Sequence, residues 1–191
     1  AKYPDIPLYA VVSDVCASGG YFVASAADKI YVNESSVIGS IGVLINGFGF
    51  VDTIQELGIE RRLMTAGEHK GILDPFTPLS EFDRVHVSGL LKDLHENFIG
   101  AVKTGRGDRL KADDATLFSG LFWDGNEGIR LGLADEIGSA GYVAREVVGA
   151  EDLVDFTAKE DPLERLANRL GASAATTLGR LFGVSGGIPL R

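Results

Sequence analysis

A chain of 191 residues, 45% hydrophobic and 24% charged, is long enough to bury one substantial core and carry an appendage. Its net charge of −9 leaves no basic stripe to neutralise phosphates, which argues against nucleic acid as a partner. The single cysteine, Cys16, excludes an intrachain disulfide, and no run of about 18 apolar residues offers a membrane-spanning helix.

In chain order, residues 8–13 read as a buried strand and 18–28 as a helix, joined through the small-residue corner Ser18-Gly19-Gly20. The chain reaches that first strand within a few residues and without a signal peptide, which reads as a start partway into a larger protein. Cys16, among small and apolar neighbours, reads as core. Residues 29–32 form a second strand. The glycine-punctuated, β-branched run 37–44 reads as a strand that something approaches closely. A short helix at 51–57 stops at Gly58, and 61–65 returns as strand.

From residue 66 to 79, Gly67, Gly71, Pro75 and Pro78 mark a loop of about a dozen residues, a length often tied to function. Ser80, with Asp83 three positions on, predicts an N-cap. Val87, Leu90, Leu91, Leu94, Phe98, Ile99 and Val102 then give a long amphipathic helix to about residue 103. His86 and His95 fall on its flank and read as solvated. Residues 113–148 read as two or three short helices with a strand near 134–137. Alternating strands and helices predict an α/β layered fold. The expected organisation is a domain over 1–158 and an amphipathic helical tail over 159–191, ending in a glycine-rich stretch.

Chemistry centres on Ser18. A strand feeding through a tight corner into a helix lifts the hydroxyl out of the packed layer and aims unpaired helix N–H groups at whatever binds there. The same corner also suits a plain packing turn, and the local pattern does not choose between them. A serine nucleophile needs a base. Of His69, His86, His95 and the lysines, His69 and Lys70 lie in the punctuated loop, and on spacing alone His69 is the default base. Histidine titrates near neutrality unaided, whereas lysine needs an apolar wall, which Ile72, Leu73 and Phe76 could supply.

The motifs Asp14-Val15-Cys16-Ala17-Ser18-Gly19-Gly20-Tyr21, Ala26-Ala27-Asp28-Lys29-Ile30 and Gly39-Ser40-Ile41-Gly42-Val43 resemble the nucleophile region of the signal peptide peptidase A family. The resemblance continues through Gly67-Glu68-His69-Lys70, Asp74-Pro75-Phe76, the stretch 117–125, and Gly132-Leu133-Ala134-Asp135, covering roughly residues 5–148. It implies a Clp protease/crotonase-type α/β fold and a Ser–Lys dyad. Ser18 would be the nucleophile, Lys70 the general base and Gly19 an oxyanion donor through its backbone N–H. Ser40 would orient the amine, although close strand packing explains a small residue there equally well. Tyr21 with Phe22 would bind apolar substrate side chains.

Three histidines and one cysteine without ligand spacing predict no metal, and no cofactor is expected. The resemblance further implies apolar, signal-peptide-like substrates and a homo-oligomer with the dyad near or across subunit interfaces. It implies anchoring to a bacterial inner membrane through an upstream segment, with the site on the extracytoplasmic side. The second oxyanion donor is expected upstream of residue 1. Two other readings stay open: an acyl-CoA hydratase or isomerase relative on the same fold, and a non-catalytic scaffold subunit.

Overall fold

The computed structural model describes residues 5–150 and 152–157. The chain divides into two compact units, Ala1–Glu151 and Asp152–Arg191. Of the second, residues 152–157 are described, without regular structure and exposed. The boundary expected at 158/159 and the helical tail beyond it lie outside the described residues.

In chain order the first unit runs β1 (Tyr9–Val12), β2 (Val15–Ala17), α1 (Gly19–Ala24), β3 (Lys29–Val32), β4 (Val37–Gly39), α2 (Val51–Glu56) and α3 (Glu81–Arg106). After a single turn of tighter helix at Gly107–Arg109 come α4 (Asp114–Leu117), β5 (Phe122–Trp123), α5 (Gly125–Leu131), β6 (Glu136–Ile137) and α6 (Ala140–Tyr142). The α6 helix continues as a wider helical turn over Val143–Val148. One sheet has the order β1-β3-β6, all parallel. The other, β2-β4-β5, is parallel between β2 and β4 and antiparallel between β4 and β5. The architecture is the expected α/β alternation.

β3 shows why the sheet forms where it does. Ile30, Tyr31 and Val32 are β-branched or aromatic, and all three are wholly buried, as a central parallel strand covered on both faces requires. Burying Ile30 and Val32 contributes about 1.5–3 kcal/mol each. Ile38, Ile41, Phe98, Val102, Leu117 and Leu133 complete the core with Tyr21.

α3 is the longest element. At its start Ser80 Oγ accepts the Asp83 N–H at 3.1 Å and Asp83 accepts the Ser80 N–H at 3.4 Å, so the predicted cap is present in reciprocal form. At its end the wholly buried Arg106 donates to both carboxylate oxygens of Asp135, at 2.8 and 3.0 Å, and to the Gly132 carbonyl at 3.0 Å. Asp135 also accepts the Ile30 N–H at 2.7 Å. Burial alone would push the Asp135 carboxyl up. Hydrogen bonds from Arg106 and the Ile30 N–H, with the charges of Arg106 and Arg109, outweigh it and hold the group below the usual carboxylate range. α3, β3 and the approach to β6 are thereby pinned at one point.

Two strand expectations need correction. Residues 61–65 are not a strand: they are exposed and unpaired with any strand among the described residues. The run 37–44 is strand only to Gly39, because Ser40 turns to a φ of 51° and leaves the ladder. The helix expected over 18–28 is shortened to Gly19–Ala24. The helix stop at Gly58, with φ 66°, is present.

Candidate active site

β2 delivers the chain to Ser18, whose backbone takes φ 53° and ψ −121°, a conformation that costs a non-glycine residue on the order of 1–3 kcal/mol. The corner is held by its neighbours. The Ser18 N–H donates to the Gly39 carbonyl at 2.9 Å, and its carbonyl accepts the Phe22 N–H at 2.9 Å to open α1. A serine at an N-cap ordinarily spends its hydroxyl on the helix. Here the Ser18 side chain makes no capping hydrogen bond, which leaves Oγ uncommitted among the described residues. Gly19 follows as the first residue of α1, where a backbone N–H has no intrahelical partner.

Across from this corner Ser40, also at positive φ, donates its N–H to the Leu121 carbonyl at 2.7 Å. Ser18, Gly19 and Ser40 line one open cavity of about 690 Å³, within the size range of small-molecule and peptide-side-chain sites. Its apolar wall includes Phe22 and Phe98, whose rings meet edge to face with centroids 5.4 Å apart. The structure therefore brings together three of the five residues singled out in the sequence.

Lys70 is not among the residues that line this cavity. It sits in a separate turn, its N–H donating to the Gly67 carbonyl at 3.2 Å, and its side chain is exposed. The wall of Ile72, Leu73 and Phe76 does not bury it within this chain. That loop is nonetheless ordered by its own contacts. Arg61 pairs with Asp74 and lies 5.5 Å from the Phe76 ring centroid, and Asp74 accepts the Phe76 N–H at 3.1 Å. That N–H bond, with the Arg61 pair, holds the Asp74 carboxyl below its usual range despite some burial. His69 stacks on Phe82 at 4.0 Å between centroids, and Phe82 on His86 at 5.8 Å.

Tyr21 does not face the cavity. It is wholly buried, its hydroxyl donating to the Leu133 carbonyl at 2.8 Å, and burial raises its ionisation well above the ordinary phenol value. The aromatic that lines the cavity is its neighbour Phe22. Cys16 is half-buried against the core, and burial raises its thiol likewise.

His95 is the residue that helical-wheel reasoning missed. It is half-buried, lines the Ser18 cavity, and places Nε2 3.0 Å from the Ile41 carbonyl oxygen. The signal was present in the spacing. Leu91, His95, Phe98 and Val102 fall 4, 3 and 4 residues apart, on one stripe of α3 rather than its flank.

The chain is similar to several known proteins. A probable protease SohB from Haemophilus influenzae is 30% identical over 179 residues, covering 94% of this chain and 47% of that protein. A putative signal peptide peptidase SppA from Enterococcus faecium is 30% identical over 162 residues, covering 85% and 44%. A protein named Na(+)/H(+) antiporter NhaA from Brucella abortus is 42% identical over 142 residues, covering 74% of this chain but 19% of its own length. The chain thus spans from a fifth to less than half of these relatives. A solved enoyl-CoA hydratase/isomerase family member covers 75% of this chain and 37% of its own, at 19% identity and a TM-score of 0.31, a likeness too low to bear on fold or activity. The model of peptidase family S49 matches residues 1–153, and this chain belongs to that family.

Proposed function

We propose that this chain carries the nucleophile of a serine peptidase, and that Ser18 and Lys70 form its dyad. The observation that carries the reading is Ser18 itself: a strained corner residue whose hydroxyl is not spent on capping and which opens on an apolar-walled cavity shared with Ser40. Neutral Lys70 Nζ takes the Ser18 Oγ proton as Oγ bonds to the scissile carbonyl carbon. The oxyanion that forms is held by the Gly19 N–H. Collapse breaks the C–N bond, Lys70 returns the proton to the leaving amine, and an acyl-enzyme remains. Water, deprotonated by Lys70, then releases the acid and restores Ser18. The Ser40 hydroxyl keeps the amine in line.

A lysine must be desolvated to act as a base near neutrality. Lys70 is exposed in the isolated chain, so the proposal places it against the Ser18 cavity of a neighbouring copy in a homo-oligomer. The segment that carries it supports this. Val43, Leu44, Phe48, Leu63, Met64 and Phe82 all stand exposed along residues 43–82, apolar side chains that contact with a neighbouring copy would cover. The apolar wall of the cavity suits apolar peptides such as remnant signal peptides. The family resemblance favours a site on the extracytoplasmic side of a bacterial inner membrane, anchored through an upstream segment.

The test is a fluorophosphonate probe on the full-length protein, with the labelled residue identified by peptide mass spectrometry. Labelling at Ser18 that disappears in Lys70→Ala is expected. Labelling at another residue, or undiminished labelling of Lys70→Ala, sinks the dyad.

A further inference from the structure

His95 differs from the other two histidines in position and partner. His69 and His86 are exposed and stack on Phe82, whereas His95 lies on the buried stripe of α3 and lines the cavity that holds Ser18 and Ser40. Its Nε2 is 3.0 Å from the Ile41 carbonyl oxygen. A carbonyl only accepts, so this geometry assigns a proton to Nε2.

What that bond holds is a tight turn. The Gly42 N–H donates to the Ser40 carbonyl at 2.9 Å, two residues back, which makes Ile41 the centre of a three-residue turn. Ile41 is wholly buried, and β4 ends at Gly39, so the Ile41 carbonyl lies beyond the strand ladder. Without His95 it would be a buried acceptor needing another donor. The turn also carries Ser40, whose φ of 51° is a conformation that a non-glycine residue keeps only when its surroundings impose it.

We infer that His95 is a positioning residue for the Ser18 chemistry: its Nε2–H holds the Ile41 carbonyl and thereby fixes Ser40 in the cavity. The inference rests on the reading of Ser18 as nucleophile. His95 acts through the turn and transfers no proton to substrate. Its loss therefore falls on kcat, because Ser40 orients the base and leaves the apolar wall that binds substrate in place.

The experiment measures kcat and KM on a fluorogenic apolar peptide for the full-length wild type, H95L, H95N and H95Q, with thermal unfolding of each. Glutamine carries an amide N–H at about the reach of Nε2, whereas the asparagine amide falls short. The expected result is a kcat loss on the order of 10- to 100-fold in H95L and H95N at unchanged KM, with most of it restored in H95Q. If H95L does not fold, the contrast between H95N and H95Q reads the same donor. Wild-type kcat in H95N, or an H95Q that folds yet is as impaired as H95N, overturns the inference. A wild type that neither cleaves peptide nor takes the fluorophosphonate at Ser18 instead overturns the nucleophile reading, and this inference with it.

Discussion

Arg106→Met tests whether the buried ion pair at the end of α3 holds the helix, and with it one wall of the cavity, against the sheet. The guanidinium is wholly buried and makes three hydrogen bonds, two to Asp135 and one to the Gly132 carbonyl. Removing one partner of a buried pair costs about 3–5 kcal/mol, because the other charge is left without its counterion. Asp135 keeps the Ile30 N–H at 2.7 Å and Arg109 at 3.5 Å, which places this case near the lower end, at about 3 kcal/mol. Asp135→Asn keeps an acceptor for Ile30 but strips the charge, and costs about 2–3 kcal/mol through the weakened bonds to Arg106. Since both changes break one network, the double variant should cost less than the sum by at least about 1 kcal/mol. Equilibrium urea unfolding reads this through the single tryptophan, Trp123, whose ring lies against Gly39. An Arg106→Met loss under about 1 kcal/mol, or strict additivity in the cycle, would refute the pinning argument.

Further outcomes follow from the same structure. The Asp135 carboxyl is held low in the folded state, so its contribution is present above the unfolded value of about 3.9 and is lost as pH falls through the lower folded value. Urea midpoints should therefore drop below about pH 4, and Arg106→Met should flatten that drop; an unchanged acid limb would contradict it. Gly39→Ala puts a Cβ 2.8 Å from two Trp123 ring atoms at a φ of +98°, and should destabilise by about 2 kcal/mol or more while slowing probe labelling at Ser18. Wild-type stability in that variant would show the corner to be slack. Ser80→Ala removes the reciprocal cap of α3 and should cost about 1 kcal/mol in urea unfolding; no loss would mean that the cap is replaced by water.

Local rules made much of this fold legible in the sequence. The Ser80–Asp83 cap, the Gly58 stop and the apolar spacing of α3 are decided within a few residues, and each is where the pattern puts it. The errors arise where distant parts decide. Arg61-Arg62-Leu63-Met64-Thr65 has strand composition, but a strand exists only by pairing, and among the described residues this segment pairs with no strand. Residues 41–44 look like a continuation of β4 until Ser40 leaves the ladder. The two-residue β5 is a strand because Phe122 and Trp123 pair with Gly39 and Ile38, more than 80 positions away.

The site divides along the same line. Ser18 stood out because a serine followed by two glycines between a strand and a helix is a short motif, while Gly19 and Ser40 were reached through the family resemblance, since the corner and the turn are held by partners as distant as Gly39 and Leu121. Tyr21 against Phe22 was not, because α1 decides which neighbour faces the core, and the Tyr21 hydroxyl finds the Leu133 carbonyl 112 positions on. Lys70 was found by motif, yet the fold of one chain leaves it exposed and outside the cavity.

The central claim is that Ser18 is activated by Lys70 of a neighbouring copy. Assemblies co-expressed from equal amounts of Ser18→Ala and Lys70→Ala subunits test it most directly, by hydrolysis of an apolar peptide. Each variant alone is expected to be inactive. In a mixed homo-oligomer whose copies meet head to tail, about one site in four joins an intact Ser18 to an intact Lys70, so about a quarter of wild-type activity should return. Mixed assemblies that stay as inactive as the separate variants, while the wild type cleaves the peptide, would contradict the account.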